Sequence, residues 1–156
     1  MTENATLKAW NRMQASGFGR WLFTRAVCWK APYFASISPR FVSLQPGCAV
    51  VSMQKRRKVK NHIGTIHAIA MANLCEIAAG VLTEVTIPVS MRWLPRGMNI
   101  QYLAKAETAV HVHASMPAPV GADAQDLVVD CDVRDAGGKT VVTAQISMYV
   151  TPKPTR

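Results

Sequence analysis

Polar side chains that can do chemistry interrupt the segment 61–80, which otherwise consists mainly of small and apolar residues. Asn61 and His67 stand near its start, and Glu76, its single acidic residue, stands near its end. A buried carboxylate is costly unless it is paired, hydrogen-bonded or hydrated, so its presence there points to a function. Glu76 is therefore a candidate general base or nucleophile. Asn73, three residues earlier, is expected to hydrogen-bond it in a structural role.

The spacing of these residues restricts how they can act together. The continuous apolar run from Ile66 to Leu82 predicts a long helix without a wide polar face. On a helix, residues nine apart are separated by about half a turn net and by about 13 Å along the axis. His67 and Glu76 therefore cannot meet within one helix. If both belong to one active site, the glutamate of one subunit must face the Asn61–His67 loop of another.

The predicted start of this helix, near Thr65 to Ala68, offers unpaired backbone N–H groups and the positive end of the helix dipole. Both features suit a developing oxyanion on a carbonyl group. Gly64, just before it, is explained by a positive φ or by a close approach of another chain segment.

The chain is strongly basic, with a net charge of +9 and a pI of about 9.8. Such a balance favours an anionic partner: nucleic acid, lipid headgroups or a phosphate-bearing small molecule. The densest basic run has no aromatic residue between its members, which argues against nucleic acid. The run consists of Lys55, Arg56, Arg57, Lys58 and Lys60.

Composition indicates one globular domain, because 156 residues with 49% hydrophobic and 17% charged side chains can bury a sizeable core. No metal site is expected: the four cysteines are scattered singly without CxxC spacing, and His111 and His113 have no third ligand nearby. Reduced thiols and a start unlike a signal peptide predict a cytoplasmic protein. Glu76 within the apolar run favours a buried helix over a membrane span.

Two amphipathic helices are predicted at the amino terminus, with a break at Gly17. The aromatic residues there, beside Arg20, Arg25 and Lys30, also suit a membrane interface, but packing against the domain's own sheet is the preferred interpretation. The first helix is expected to pack through Leu7, Trp10 and Met13, and the second through Phe18, Leu22, Ala26 and Trp29.

Short runs of β-branched and apolar residues predict strands on both sides of the long helix. Pro88, Pro95 and Gly97 are expected to mark breaks. The carboxyl end alternates most clearly and predicts a long antiparallel hairpin with its turn near 135–139. This order of elements predicts an α+β domain, with an antiparallel sheet wrapped around one helix. The predicted strands cover 39–44, 49–53, 98–106, 108–116, 127–134 and 142–150.

From about Ser38 to Val150 the order of elements resembles the hotdog fold. Within it, the chain resembles the phenylacetate-pathway type of acyl-CoA thioesterase, whose pattern is an Asn, six residues on a His followed by Gly, and nine further on an acidic residue. Asn61, His67 and Glu76 match these spacings, and 101–106, "QYLAKA", resembles the family's strand after the helix. Ala68-Ile69 replaces the family's glycine pair, and Glu76 its usual Asp.

The resemblance implies hydrolysis of an acyl-CoA thioester by a homodimer or a dimer of dimers. Glu76 would activate water, or attack directly, while Asn61 positions the water or thioester and His67 orders the loop. The N–H of Ala68 would hold the oxyanion, and the basic run would grip the phosphates of coenzyme A, with Arg92, Arg96 and Lys105 as weaker candidates. No separate cofactor is implied. The expected organisation is a helical extension over 1–36, a hotdog domain over 37–150 and a tail over 151–156.

Three other functions compete with this interpretation. A hydroxyacyl dehydratase of the same fold also sets a histidine against a partner's glutamate, but with wider spacing and with Pro and Gly between them, which 66–79 lacks. A non-catalytic acyl-CoA or fatty-acyl binding protein would explain the missing glycine pair. A nucleic-acid binder is the third alternative and predicts binding that depends steeply on salt.

Overall fold

The computed structural model describes residues 4–118 and 120–154. Two amino-terminal helices precede a sheet whose strands are interrupted once by a long helix, and short 3-10 turns cover Pro32–Ile37 and Arg57–Val59. The helices are α1 (Ala5–Met13), α2 (Gly17–Lys30) and α3 (Ala68–Thr86). The strands are β1 (Arg40–Gln45), β2 (Cys48–Met53), β3 (Met91–Tyr102), β4 (Val110–Ser115), β5 (Gln125–Asp135) and β6 (Thr140–Pro152).

All neighbouring strands pair antiparallel in one six-stranded sheet of order β1-β2-β4-β5-β6-β3. Helix α3 packs against this sheet and supplies the centre of the core, with Leu74, Ile77 and Leu82 at most 1% exposed. The predicted α+β architecture, a sheet around one long helix with additional amino-terminal helices, is confirmed. By length and composition α3 is also long and apolar enough to cross a membrane. In this structure, however, 61% of its most apolar stretch is buried within the protein.

The amino-terminal helices attach to the β1 edge through an aromatic cluster. Trp10 of α1 is fully buried, and its ring centroid lies 5.1 Å from that of Phe23 and 6.4 Å from that of Phe41. The hydroxyl of Thr24 accepts a hydrogen bond from the Phe41 N–H at 3.1 Å, which joins α2 to β1. Gly19 lets the two helices approach closely, because a Cβ there would clash with the Met13 backbone.

The predicted packing face of α2 is wrong. Phe18, Leu22 and Trp29 are 71%, 41% and 87% exposed, and Ala26 is exposed as well. The helix buries a different face, formed by Gly19, Phe23, Thr24 and Cys28. The close contact of Gly19 with α1 and the bond from β1 to Thr24 fix this rotation, and neither is visible in the hydrophobic pattern. Among the aromatic residues of α1 and α2, Trp10 and Phe23 are the buried ones.

Strand β3 begins earlier than the sequence predicts, at Met91 rather than Met98, and ends at Tyr102. Pro95 and Gly97, predicted breaks, lie inside the strand at an irregularity in its pairing with β6. Because β3 forms one edge of the sheet, a proline without an N–H and a local bulge are both tolerated there. The carboxyl-terminal hairpin is confirmed, with strands slightly longer than predicted.

Candidate active site

The side chain of Asn61 holds together the loop that leads into α3. Its Oδ1 accepts hydrogen bonds from the backbone N–H groups of Ile63 at 3.2 Å and Thr65 at 3.1 Å. Its Nδ2 donates to the Thr65 hydroxyl at 2.8 Å. Gly64 completes the loop with φ +82°, and a Cβ there would meet nothing within 4 Å. The glycine is therefore required by a positive φ and not by a close approach.

The imidazole of His67 caps the amino terminus of α3. Its Nδ1 accepts a hydrogen bond from the Ile69 N–H at 3.1 Å, while the His67 backbone N–H donates to the Val59 carbonyl at 2.7 Å. Because a ring nitrogen that accepts carries no proton, the proton of the neutral ring lies on Nε2. The exposed side of this residue therefore presents an N–H donor at the entrance of the helix.

Ala68 is the first residue of α3, and its N–H has no acceptor among residues 4–118 and 120–154. The two residues that precede His67 hold this amide in place, since Thr65 and Ile66 are only 7% and 2% exposed. An unpaired N–H at the positive end of a 19-residue helix can donate to an oxygen on which negative charge develops.

Glu76 is half-buried on α3 and makes no hydrogen bond or ion pair with the described residues. It lines a groove of about 440 Å³, whose walls are mainly apolar and include Val27, Val81 and Trp93. The predicted hydrogen bond from Asn73 to Glu76 is wrong, because the Asn73 amide donates instead to the Ser36 hydroxyl at 3.4 Å. Within the described chain the carboxylate of Glu76 therefore has no bonded protein partner and lines the groove.

A second carboxylate of the same groove, Glu84, is not among the site residues predicted from the sequence. One of its oxygens accepts from the indole N–H of Trp93 at 2.8 Å, and the other accepts from the Asn4 amide at 3.1 Å. Glu76, Gly80 and Glu84 follow each other at four-residue intervals, which places them on one side of α3. The four-residue interval is the feature of the sequence that could have indicated Glu84. Its hydrogen-bond partners could not be foreseen, because they come from distant segments.

Within one chain, the structure keeps Glu76 apart from the loop. His67 is the N-cap of α3, about 13 Å along the axis from Glu76 by helix geometry. No hydrogen bond joins Glu76 to Asn61 or His67 in the described part of the chain. This separation agrees with the argument from sequence spacing.

The side chains of the basic run do not form one cluster. Lys55 donates to the Glu107 carbonyl at 2.8 Å, and Arg56 donates to the Ser38 carbonyl at 3.4 Å on a different loop. The remaining members are exposed, and their side chains make no hydrogen bond to residues 4–118 or 120–154. These free cations beside the Asn61 loop are Arg57, Lys58 and Lys60.

The weaker cationic candidates are mostly engaged elsewhere. Arg92 donates to the Thr151 hydroxyl at 3.2 Å. Arg96 pairs with Asp126 at 3.0 Å and lies 3.7 Å above the ring of Tyr149. Lys105 is exposed.

Neither the buried thiols nor the strand histidines form an obvious reactive centre. Cys75 is fully buried, as the core-packing interpretation predicts, and its hydrogen bond with Cys131, together with burial, raises the pKa of the Cys131 thiol. Burial, with smaller effects of Arg134 and His111, lowers the pKa of His113. No group of three potential metal ligands occurs among the described residues.

Comparison with known proteins supplies the family. Residues 19–150 match the model of DUF4442, a domain of unknown function. A structural-genomics protein, APC5556, is 40% identical to this chain with a TM-score of 0.81, and the match covers 95% of this chain and 98% of that one. No curated protein sequence matches significantly.

More distant structures share the fold. A thioesterase from Haemophilus influenzae is 12% identical with a TM-score of 0.69, over 77% of this chain and 82% of that chain. A protein of unknown function from Pseudomonas aeruginosa, described as a probable thioesterase, is 18% identical with a TM-score of 0.73, over 80% and 89%. At these identities the likeness establishes the hotdog fold, in agreement with the resemblance found in the sequence.

Proposed function

Because the chain belongs to the DUF4442 family and has the hotdog fold of proteins described as thioesterases, we propose that it is a thioesterase that hydrolyses acyl-coenzyme A as a cytoplasmic homodimer. The observation that carries this proposal is the carboxylate of Glu76, which lines a mainly apolar groove of about 440 Å³ and has no hydrogen bond or ion pair with residues 4–118 or 120–154. An acyl chain suits the apolar walls, and the carboxylate suits activation of water at one end of that chain.

In the proposed reaction, Glu76 takes a proton from a water molecule while the water oxygen attacks the thioester carbon. The carbonyl oxygen becomes an oxyanion, which accepts a hydrogen bond from the Ala68 N–H at the start of α3. When the oxyanion collapses, the carbon–sulfur bond breaks and the coenzyme A thiolate leaves. The thiolate then receives the proton held by Glu76, so the products are a carboxylic acid and a free thiol.

The dimer is required because Glu76 and Ala68 of one chain lie too far apart to act on one carbonyl. The edge strand β3 supports such an assembly: Leu94 is 66% exposed, and β3 pairs with β6 on one side only. Unpaired strand edges are ready templates for pairing with a second copy. A β3-to-β3 contact would extend the sheet across both chains, with Glu76 of one protomer opposite the loop of its partner.

The phosphates of coenzyme A would be held by Arg57, Lys58 and Lys60, which are exposed beside the Asn61 loop. Asn61 would then act by shaping this loop, and the Nε2–H of His67 would donate to the thioester or to the attacking water. Replacing Lys58 and Lys60 with Gln is expected to raise KM for acyl-CoA severalfold with little change in kcat, since these contacts are equal in ground and transition states.

The proposal is tested by following free thiol release from acyl-CoA substrates of different chain length. The Glu76→Gln variant, which keeps the size of the side chain and cannot accept a proton, should lose at least about a hundredfold in kcat. Retained coenzyme A binding by that variant shows that the site is still folded. Near wild-type turnover by Glu76→Gln would refute the assignment.

One observation favours a non-catalytic acyl-CoA binding protein as the second candidate: Ala68 and Ile69 stand where the resembling thioesterases have two glycines. That alternative predicts tight acyl-CoA binding without thiol release at any chain length. A dehydratase would instead consume a hydroxyacyl-CoA with no thiol released, which the same assay distinguishes.

A further inference from the structure

A second apolar stripe on α2 faces away from the core. Its members are spaced at helical intervals and lie within an arc of about 100° on the side opposite the buried face. Apart from one arginine, Arg25, all of them are large and apolar. The stripe consists of Phe18, Trp21, Leu22, Arg25 and Trp29.

These side chains are accessible in the folded chain. Trp29 is 87% exposed and Phe18 is 71% exposed, and Tyr33, just beyond the helix, is 67% exposed. Phe18 and Trp21 stack on each other at 5.7 Å with an interplanar angle of 26°, so they form one flat apolar surface. Single exposed apolar residues are normal, but a contiguous aromatic stripe marks an interaction surface.

A basic pocket of about 260 Å³ opens directly beside this stripe. Trp21 forms part of its wall, together with three arginines, Arg25, Arg40 and Arg56. Its lining contains no Asp or Glu, and neither of the ion pairs formed by the described residues involves these arginines. Arginine side chains grouped around one pocket suit a phosphate, because guanidinium groups can bind its oxygens in a bidentate manner, and Arg56 is already oriented there by its bond to the Ser38 carbonyl at 3.4 Å.

We propose that the outer face of α2 docks onto an anionic phospholipid bilayer. The aromatic stripe would lie in the interfacial region of the bilayer, where Trp and Tyr side chains are favoured. The pocket formed by Arg25, Arg40 and Arg56 would hold a lipid phosphate. The contact is peripheral, because α2 remains attached to the sheet through its buried face.

Charge complementarity selects this occupant over a second copy of the chain. Two copies that paired through this face would bring their arginine pockets together, with no carboxylate in the pocket lining to offset the repulsion. An anionic bilayer supplies both the negative charge and the apolar layer that the surface lacks. The outer face of α2 is also separate from the proposed dimer contact. Helix α2 packs on β1, whereas the dimer contact uses β3, at the opposite edge of the sheet.

The test is co-sedimentation of the full chain with vesicles of phosphatidylcholine alone and with vesicles that also contain phosphatidylglycerol. We expect binding only to the anionic vesicles, accompanied by a blue shift of tryptophan fluorescence as Trp21 and Trp29 leave water. The buried Trp10 gives no such change. Equal binding to both vesicle types, or binding to neither, would overturn the proposal.

Two variants with matched controls separate the contributions of charge and apolar surface. Arg25→Gln with Arg56→Gln should weaken partitioning about 20- to 30-fold, since each basic residue at an anionic surface is worth about fivefold. Arg134→Gln with Lys139→Gln removes the same net charge from the β5–β6 hairpin and should have a much smaller effect. An equal loss in both pairs would show that only net charge matters and would contradict the assigned pocket.

Phe18→Ser with Trp29→Ser should reduce partitioning at least tenfold, whereas Val128→Ser, on β5, should not. All of these side chains are exposed, so each variant is expected to fold, which circular dichroism checks. Displacement of the protein from vesicles by inorganic phosphate at low millimolar concentration would assign the pocket to a free anion and overturn the docking. A change of oligomeric state in Phe18→Ser with Trp29→Ser would assign the stripe to a second copy instead.

Discussion

The indole N–H of Trp93 donates to a carboxylate oxygen of Glu84 at 2.8 Å and thereby ties the edge strand β3 to helix α3. The other oxygen of that carboxylate accepts from Asn4, just before α1, at 3.1 Å. Trp93 also lies over Gly80, where a Cβ would come within 2.9 Å of Cη2 of the indole. One wall of the groove beside Glu76 is therefore fixed by both a hydrogen bond and close packing.

Gly80→Ala is expected to destabilise the protein by about 1–2 kcal/mol, because overpacking outweighs the helix propensity that Ala gains. The measurement is urea denaturation. Gly17→Ala is the matched control, since a Cβ at Gly17 meets nothing within 4 Å, and it should be neutral or slightly stabilising. If Gly80→Ala were as stable as that control, the indole would not be held as described.

Trp93→Phe keeps an aromatic ring near Gly80 and removes the hydrogen-bond donor to Glu84. We expect a loss of about 1–3 kcal/mol, because a partly buried carboxylate oxygen is left without its partner. Glu84→Gln retains an acceptor for the indole and should cost less. Equal unfolding free energies for wild type and Trp93→Phe would contradict the importance of this contact.

The groove illustrates what a single sequence can and cannot reveal. Glu76 is identifiable because an acidic residue in an apolar helix is unusual. Glu84 could be placed on the same side of the helix because it follows Glu76 by eight residues. The difference between a free carboxylate and one bonded to Trp93 depends on how α1 and β3 pack on α3, which no local pattern encodes.

The same limit explains the two incorrect predictions about the fold, the packing face of α2 and the start of β3. The periodicity of α2 correctly predicts a helix, but it carries apolar residues on two faces, and only the contacts of Gly19 and Thr24 decide which face is buried. Pro95 and Gly97 argue against a central strand, yet β3 lies at an edge, where both are tolerated. The strands β5 and β6, by contrast, could be predicted. Only one face of the sheet packs on the core there, so apolar and polar residues alternate along each strand.

Gly64→Ala tests the loop that precedes α3. Because φ is +82° at this position, Ala should cost about 1–2 kcal/mol and displace the loop, whereas Asn, which tolerates this conformation, should cost less. Thiol release should fall in the same order, with Ala below Asn below wild type. Identical effects of the two substitutions would show that the backbone conformation of Gly64 is unimportant.

We expect His113 to account for part of the loss of stability at low pH. Its pKa is lowered from 6.5, chiefly by partial desolvation of a ring that is still largely exposed, and then by Arg134 and His111, although Asp132 opposes this. The unfolded chain therefore binds the proton more readily, so the contribution of neutral His113 is complete above about pH 6.5 and is lost as the pH falls through the lowered value. His113→Gln should show a smaller fall in urea midpoint over that interval. An unchanged pH profile would contradict this prediction.

The central claim is that each active site combines Glu76 of one protomer with the Ala68 N–H of its partner, and subunit complementation tests it most directly. Ala68→Pro removes only the N–H donor, since proline is tolerated at the first position of a helix. Glu76→Gln removes the base. Each variant alone should be nearly inactive.

When the two variants are mixed, dissociated and allowed to re-associate at random, half of the dimers are hybrids. A shared site makes one intact centre in each hybrid, so the account predicts recovery of about one quarter of wild-type thiol release. No recovery, with hybrid formation verified by differently tagged chains, would place both residues' functions within one chain and contradict the account.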